Sequence, residues 1–246
     1  MSVEIPQHLK ARFEAVESWV FDLDNTLYPP HSDLWPKVDA KITSYISDLF
    51  GVDGLTARAI QKYYYQIHGT TLNGLMIEHR IDPHAFLDFV HDIDRSSLLP
   101  DMRLGQSIAA LPGRKFVFTN GSEKHAAETL RQLGVDHLFD GIFDIVAGDF
   151  RPKPARVTYE TCLQRFGIQP VRAAMFEDIP RNLEVPAELG MRTILIVPGA
   201  EGDHKEDWER FTAEGPGAVG IRFDHVTSDL AGFLIALMAS ASPPPA

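Results

Sequence analysis

Asp22 and Asp24 stand two residues apart at the end of an apolar run, in the stretch Val20-Phe21-Asp22-Leu23-Asp24-Asn25-Thr26. Alternate residues of an extended chain share a face, so both carboxyls point to the same side, where an ionised pair requires a cation or a shared proton. A pair of hard oxygen donors asks for Mg²⁺. It also supplies two reactivities, a nucleophilic carboxylate and an acid/base carboxylate, of the kind used when phosphate moves through an aspartyl-phosphate. A strand end closed by a solvated Asx turn would give the same local sequence, so the pair alone does not decide.

Three later segments add the missing parts of such a site. Lys115-Phe116-Val117-Phe118 runs into Thr119, Asn120 and Gly121, where a hydroxyl and backbone N–H groups can meet a phosphoryl oxygen. Lys153 lies between Pro152 and Pro154, and proline restricts both its own φ and the residue before it, which stiffens the arm that carries the ammonium. Ala173-Ala174-Met175-Phe176 ends in Glu177 and Asp178, with Asn182 a helical turn on. Each segment is common by itself; their order along one chain is not.

This ordered set strongly resembles the haloacid dehalogenase superfamily, whose members are mostly phosphatases. The resemblance implies that Asp22 is the nucleophile and a Mg²⁺ ligand, and that Asp24 is the general acid/base and ligates the metal through its carbonyl. It implies that Thr119 binds the phosphoryl group with the Asn120 and Gly121 backbone, and that Lys153 steadies nucleophile and phosphate. Asp178 would complete the metal site, with Glu177 beside it. Residues 21–29, 63–75 and 91–101 are similar to the pyrimidine 5′-nucleotidase group, which implies a nucleoside monophosphate as substrate. Dehalogenases of the superfamily replace the second acid; Asp24 is present here, and an ester with a sugar-like leaving group benefits from a proton donor, which favours a phosphatase.

The elements that must position these residues follow from pattern. Residues 7–16 read as a short amphipathic helix before a strand at 19–21. From 32 to 99 the periodicity is helical, with Leu34, Val38, Ile42, Tyr45, Ile46 and Leu49 on one stripe before Gly51, and further helices at 56–65, 72–79 and 83–92. From about residue 100 apolar strands at 115–118, 142–146, 173–176 and 193–197 alternate with helices at 123–133, 155–166 and 179–189. That alternation predicts an α/β fold, a doubly wound parallel sheet whose ligands gather at the carboxyl ends of strands. The expected organisation is a catalytic core of residues 1–30 and 100–239, an inserted helical cap at 31–99, and a disordered proline-rich tail at 240–246.

Within the cap, Thr70, Thr71 and Asn73 are candidates to face the substrate, while at least two of Tyr63, Tyr64 and Tyr65 read as packing residues. No His or Cys spacing suits a zinc site, so His79, His84, His91, His125 and His137 read as surface or core-edge residues. Asp92 and Asp94 repeat the acid spacing without the flanking strand, and Arg181 reads as a phosphate contact or a surface residue.

The chain has 246 residues, 44% of them hydrophobic, enough for a large core. A net charge of −11 argues against nucleic-acid polymers and anionic membranes as partners but not against a small phosphorylated metabolite bound locally. The lone Cys162 excludes an internal disulfide and reads as a helix-packing residue. Residues 1–20 carry no leader pattern, and no apolar run approaches the ~20 residues of a membrane span. These features predict a cytoplasmic enzyme; they leave the oligomeric state open, a monomer being compatible. The expected activity is a Mg²⁺-dependent phosphomonoesterase, with nucleoside monophosphates, sugar phosphates and phosphoglycolate as candidate substrates. A noncatalytic binding module of the same fold would have no need for Asp24.

Overall fold

The computed structural model describes residues 5–199 and 223–239; the expected tail at 240–246 lies outside them. Six strands form one parallel sheet: β1 (Ser18–Phe21), β2 (Arg114–Phe118), β3 (Gly141–Phe143), β4 (Ala173–Glu177), β5 (Arg192–Ile196) and β6 (His225–Thr227), in the order β3-β2-β1-β4-β5-β6. The chain winds outward from β1 to β3, then restarts at β4 on the other side of β1. Phe21 pairs with Val117 on one flank and Phe176 on the other. That reversal at β1 opens the crevice where open α/β sheets place ligands.

Both faces of the sheet are buried, which is why the strands are continuous apolar runs. Trp19, Phe21, Val117, Phe176 and Ile194 pack on one face against α6 (Met102–Ala109), α7 (Glu123–Leu133) and α10 (Leu230–Met238). Val20, Phe116, Phe118, Met175 and Leu195 pack on the other against α8 (Arg156–Phe166), where Cys162 is buried and its thiol is pushed up to about 12 by that burial. Cys162 is therefore an inert packing residue.

Between β1 and α6 lie four helices: α2 (Leu34–Phe50), α3 (Gly54–His68), α4 (Thr71–His79) and α5 (Pro83–Val90). Asp53 caps α3, its carboxylate accepting from the Leu55 and Thr56 N–H groups, and Gly51 ends α2 in the left-handed region at φ 63°. These helices bury their own cluster, including Ile46, Ala57, Tyr64, Leu75 and Phe86, which Ile145 joins from the segment after β3.

The structure departs from the sequence-based expectation in places. The strand expected at 142–146 ends at Phe143 because Asp144 turns the chain, its carboxylate accepting from Glu123 N (2.9 Å) and Ala147 N (2.8 Å). The helix expected at 179–189 begins as a 3₁₀ turn at Pro180–Leu183 and becomes the short α9 (Glu184–Glu188). The first helix, α1 (Gln7–Ala11), stops short of residue 16. β6, α6 and α10 were not anticipated from pattern.

Candidate active site

The acidic and hydroxyl residues sit where β1, β2 and β4 end. Asp22 follows the last residue of β1, its N–H donating to Phe176 O (2.9 Å), and Thr119 follows β2, its N–H donating to Phe143 O (3.0 Å). Glu177 closes β4 and Asp178 follows it. Carboxylate oxygens of Asp22, Glu177 and Asp178 lie within 4.8 Å of one another, the group among the described residues able to hold a metal ion.

Lys153 enters this group from the loop before α8. Its ammonium is 1% exposed and donates to Asp22 Oδ1 (2.6 Å), Glu177 Oε2 (2.7 Å) and Phe118 O (2.9 Å). An ammonium has three N–H donors, so all are engaged. Asn120 sets the backbone of this arm, its Oδ1 accepting from Lys153 N (2.8 Å). The Thr119 hydroxyl accepts from Gly121 N (2.9 Å), which folds the β2–α7 turn back on itself beside the acids.

One buried cation among three acids leaves excess negative charge. Burial, and then repulsion from Glu177, push the Asp22 carboxyl up to about 8 against the pull of Lys153, with Asp24 adding to the rise. Asp178 is held well above the ordinary carboxylate range by the protein packed around it, then by Glu177 and Asp22. An all-carboxylate donor set short of positive charge fits a hard divalent cation. The folded-state pKa of Asp22 lies above its unfolded value of about 3.9. Its stabilising contribution is therefore present below that value and is lost as pH rises through about 8. Because carboxylate ligands must shed protons to bind metal, the gain in Tm on adding Mg²⁺ over a chelator is expected to be larger at pH 8 than at pH 5. Equal gains in thermal melts at the two pH values would contradict this.

Asp24 is held differently. The Tyr28 hydroxyl, buried by the turn through Asn25 at φ 58°, donates to Asp24 Oδ1, and His125 Nε2 lies 3.1 Å from the same oxygen. Burial opposes ionisation of Asp24, but the hydrogen bonds donated by His125 and Tyr28 outweigh it and hold the carboxyl below its usual range. His125 is fully buried, contrary to the surface or core-edge position its spacing suggested. His91 stacks on it at 4.3 Å and is pushed down to about 3, chiefly by burial. Tyr28, His125 and Arg95, whose guanidinium reaches His125, are the contributors that sequence reasoning missed. For His125 the available signal was helical: with Thr129 it shares the inward face of α7 with Ala126, Leu130 and Leu133.

The three cap candidates make their hydrogen bonds within the insertion. Thr70 caps α4 by accepting from Asn73 N (3.1 Å), Asn73 Nδ2 donates to His68 O (2.9 Å), and the buried Thr71 hydroxyl donates to Gln61 O (3.2 Å). The helices instead meet the core near Arg181, whose guanidinium lies 4.8 Å from the Tyr65 ring centroid and 3.4 Å from Gly69 O. Tyr64 packs inside the insertion and bonds His79 Nε2 (2.6 Å), while Tyr63 is exposed. Asp94 is spent on Ser96, and Asp92 is exposed 4.0 Å from Lys41.

A parallel sheet carrying this acid group at its reversal point defines a class. The model of the haloacid dehalogenase-like hydrolases matches residues 18–190, and the chain belongs to that family. Two curated relatives are each 27% identical. Fructose-1-phosphate phosphatase YqaB of Escherichia coli aligns over 75% of this chain and 98% of its own length. Phosphate metabolism protein 8 of Saccharomyces cerevisiae aligns over 71% of this chain, which spans only 60% of the yeast protein. Among solved structures, the HAD phosphatase from Thermococcus onnurineus superposes with a TM-score of 0.58 at 14% identity, covering 90% of this chain and 98% of that one. L-2-haloacid dehalogenase from Xanthobacter autotrophicus gives 0.57 at 15% identity, covering 92% and 100%. At such identities these structures speak for the shared fold. The family is one of hydrolases, and no described helix is long and apolar enough to cross a membrane.

Proposed function

We propose that the protein is a Mg²⁺-dependent, cytoplasmic phosphomonoesterase working through an aspartyl-phosphate on Asp22, with a pyrimidine nucleoside monophosphate as its substrate and residues 31–99 acting as a cap over the core. The observation that carries the reading is the division of labour between the two acids. Asp22 is gripped by Lys153 within the acid group, while Asp24 is turned away onto Tyr28 and His125.

In this reading Asp22, Asp178 and the Asp24 carbonyl hold the Mg²⁺, with Glu177 adjacent, and the ion when bound offsets charge between an anionic nucleophile and an anionic ester. Lys153 fixes Asp22 Oδ1, which aims the carboxylate for in-line attack on phosphorus. Thr119 and the Asn120 and Gly121 backbone hold the equatorial oxygens. The bond from phosphorus to the leaving oxygen breaks, and that oxygen takes the proton of Asp24. Both donors to Asp24 engage Oδ1, which leaves Oδ2 to carry the proton. The resting carboxyl is ionised; an arriving phosphate raises its proton affinity by like-charge repulsion. Asp24 Oδ2 then takes a proton from water, whose oxygen attacks phosphorus and releases Asp22 and inorganic phosphate.

Ca²⁺ in place of Mg²⁺ is expected to suppress turnover, since its looser coordination lets the nucleophile leave the line of attack; full activity after thorough chelation would refute a metal requirement. Asp24→Ala is expected to accumulate phosphorylated protein, read by mass spectrometry, because hydrolysis of the acyl phosphate loses its base. An equal yield in wild type would contradict the roles assigned. For the substrate, kcat/KM over CMP, UMP, AMP, phosphoglycolate and fructose 1-phosphate decides. Pyrimidine nucleotides should lead. A sugar phosphate is the second reading, favoured by the near-complete alignment with the Escherichia coli phosphatase. Substitution of Thr70, Thr71 or Asn73 is expected to change selectivity within that panel more than hydrolysis of a small aryl ester.

A further inference from the structure

We infer that His125 is a positioning residue for Asp24, and that Arg95 sets the tautomer in which His125 does this. The inference rests on the phosphatase reading for its kinetic consequence and on hydrogen-bond geometry for its structural content.

Arg95 Nη2 lies 3.0 Å from His125 Nδ1. A guanidinium has only donors, so Nδ1 must present its lone pair. The proton of the neutral ring is then on Nε2, the nitrogen that faces Asp24 Oδ1 at 3.1 Å. The direction of each bond in the chain from Arg95 through His125 to Asp24 is thereby fixed.

Both ends of the chain are anchored. Arg95 Nη2 and Nη1 donate to the carbonyls of His91 and Ile93, each at 3.1 Å, and Nη1 pairs with Glu128 Oε2 at 2.9 Å. The imidazole is clamped in its plane by His91, 15° from parallel, whose Nδ1 lies 2.9 Å from Ser122 Oγ. A Cβ on Gly121 would come within 3.2 Å of His125 Cδ2, so the phosphate-side turn closes on the ring's edge. His125 thus has little room to rotate, and Tyr28 supplies a second donor to the same oxygen. With Oδ1 held by both, Oδ2 is the atom presented to the substrate. His91 and Arg95 also belong to the stretch by which the chain leaves the inserted helices. The direction of Asp24 is therefore tied to the seating of that stretch on α7.

The test separates positioning from bulk stability. His125→Phe keeps a flat ring without the donor; His125→Gln offers an amide N–H near the place of Nε2. An alkyl phosphate needs its leaving oxygen protonated, whereas a nitrophenyl phosphate does so far less. His125→Phe is expected to lower kcat about 100-fold on the alkyl ester and about tenfold or less on the nitrophenyl ester, within the usual span of a general acid's contribution. His125→Gln should recover most of the difference. Equal losses on both esters, or a glutamine variant no better than phenylalanine, would overturn the inference.

If the phenylalanine variant does not fold, the glutamine variant and the wild-type imidazole ¹⁵N spectrum decide. The spectrum should show His125 as the Nε2–H tautomer, and Arg95→Met should release the ring from it. An Nδ1–H tautomer in wild type, or no change on removing Arg95, would overturn the inference. A wild type that hydrolyses neither ester with Mg²⁺ refutes the phosphatase reading instead, and the spectrum still judges the geometry.

Discussion

Asp22→Asn is expected to lower turnover by at least about three orders of magnitude, the scale of loss when a covalent nucleophile is removed, and at the same time to raise the Tm of the metal-free protein at pH 8. The two effects share a cause. Asparagine keeps the shape of the side chain and an oxygen that accepts from Lys153, and Lys153 also keeps its bond to Glu177. The cost of burying an anion there, which is the main cause of the raised Asp22 carboxyl, and the repulsion from Glu177 and Asp24 both disappear. What is lost is the attacking charge. Steady-state kinetics on a nitrophenyl ester and thermal melts in chelator check both halves. Retention of a tenth of the activity would remove Asp22 from its role, and a lower metal-free Tm would show that the carboxylate is structural.

Lys153→Met is expected to cost about 3–5 kcal/mol at pH 8, since removing one partner of a buried ion pair leaves its acids uncompensated. Here two acids are stranded, Asp22 and Glu177, in a place where the lysine is 1% exposed. The cost should shrink at pH 5, because Asp22 without its partner takes up a proton instead of remaining as a buried anion. Lys153→Arg should not rescue it. The ammonium reaches Asp22, Glu177 and the Phe118 carbonyl from one point, and a planar guanidinium cannot present three donors in that way. Urea unfolding at the two pH values provides the measurement; a loss below about 1 kcal/mol at pH 8, the level of a surface pair, would contradict it.

The acid group was legible in the sequence because each member follows an apolar run, and a strand buried on both faces must end where polarity begins. Asp22, Thr119 and Glu177 needed only that local rule. The partners of Asp24 did not follow from it. Tyr28 reaches back across a turn that depends on Asn25 adopting a positive φ, and His125 arrives from a helix after β2, held by an arginine from between α5 and α6. No spacing rule connects residues 24, 95 and 125. The polar run at residues 70–73 shows the opposite difficulty: a helix cap and a substrate-binding loop use the same residue types, and here the hydrogen bonds of Thr70 and Asn73 are local. α10 was hidden because LAGFLIALM is apolar nearly all round and gives no amphipathic stripe.

The pairing of β1 with β4 sets the order of events in time. Phe21 and Phe176 stack at 4.5 Å across that seam, yet they come from opposite ends of the matched region of the chain. Contacts between such distant segments must overcome loop closure before they stabilise anything, so this seam is expected to close late in refolding. Asp22 and Asp178 come together only when it has closed. Interactions absent from the folding transition state act on the unfolding rate alone. A divalent cation added to the protein is thus expected to lengthen the lifetime of the native state while leaving the rate of refolding unchanged.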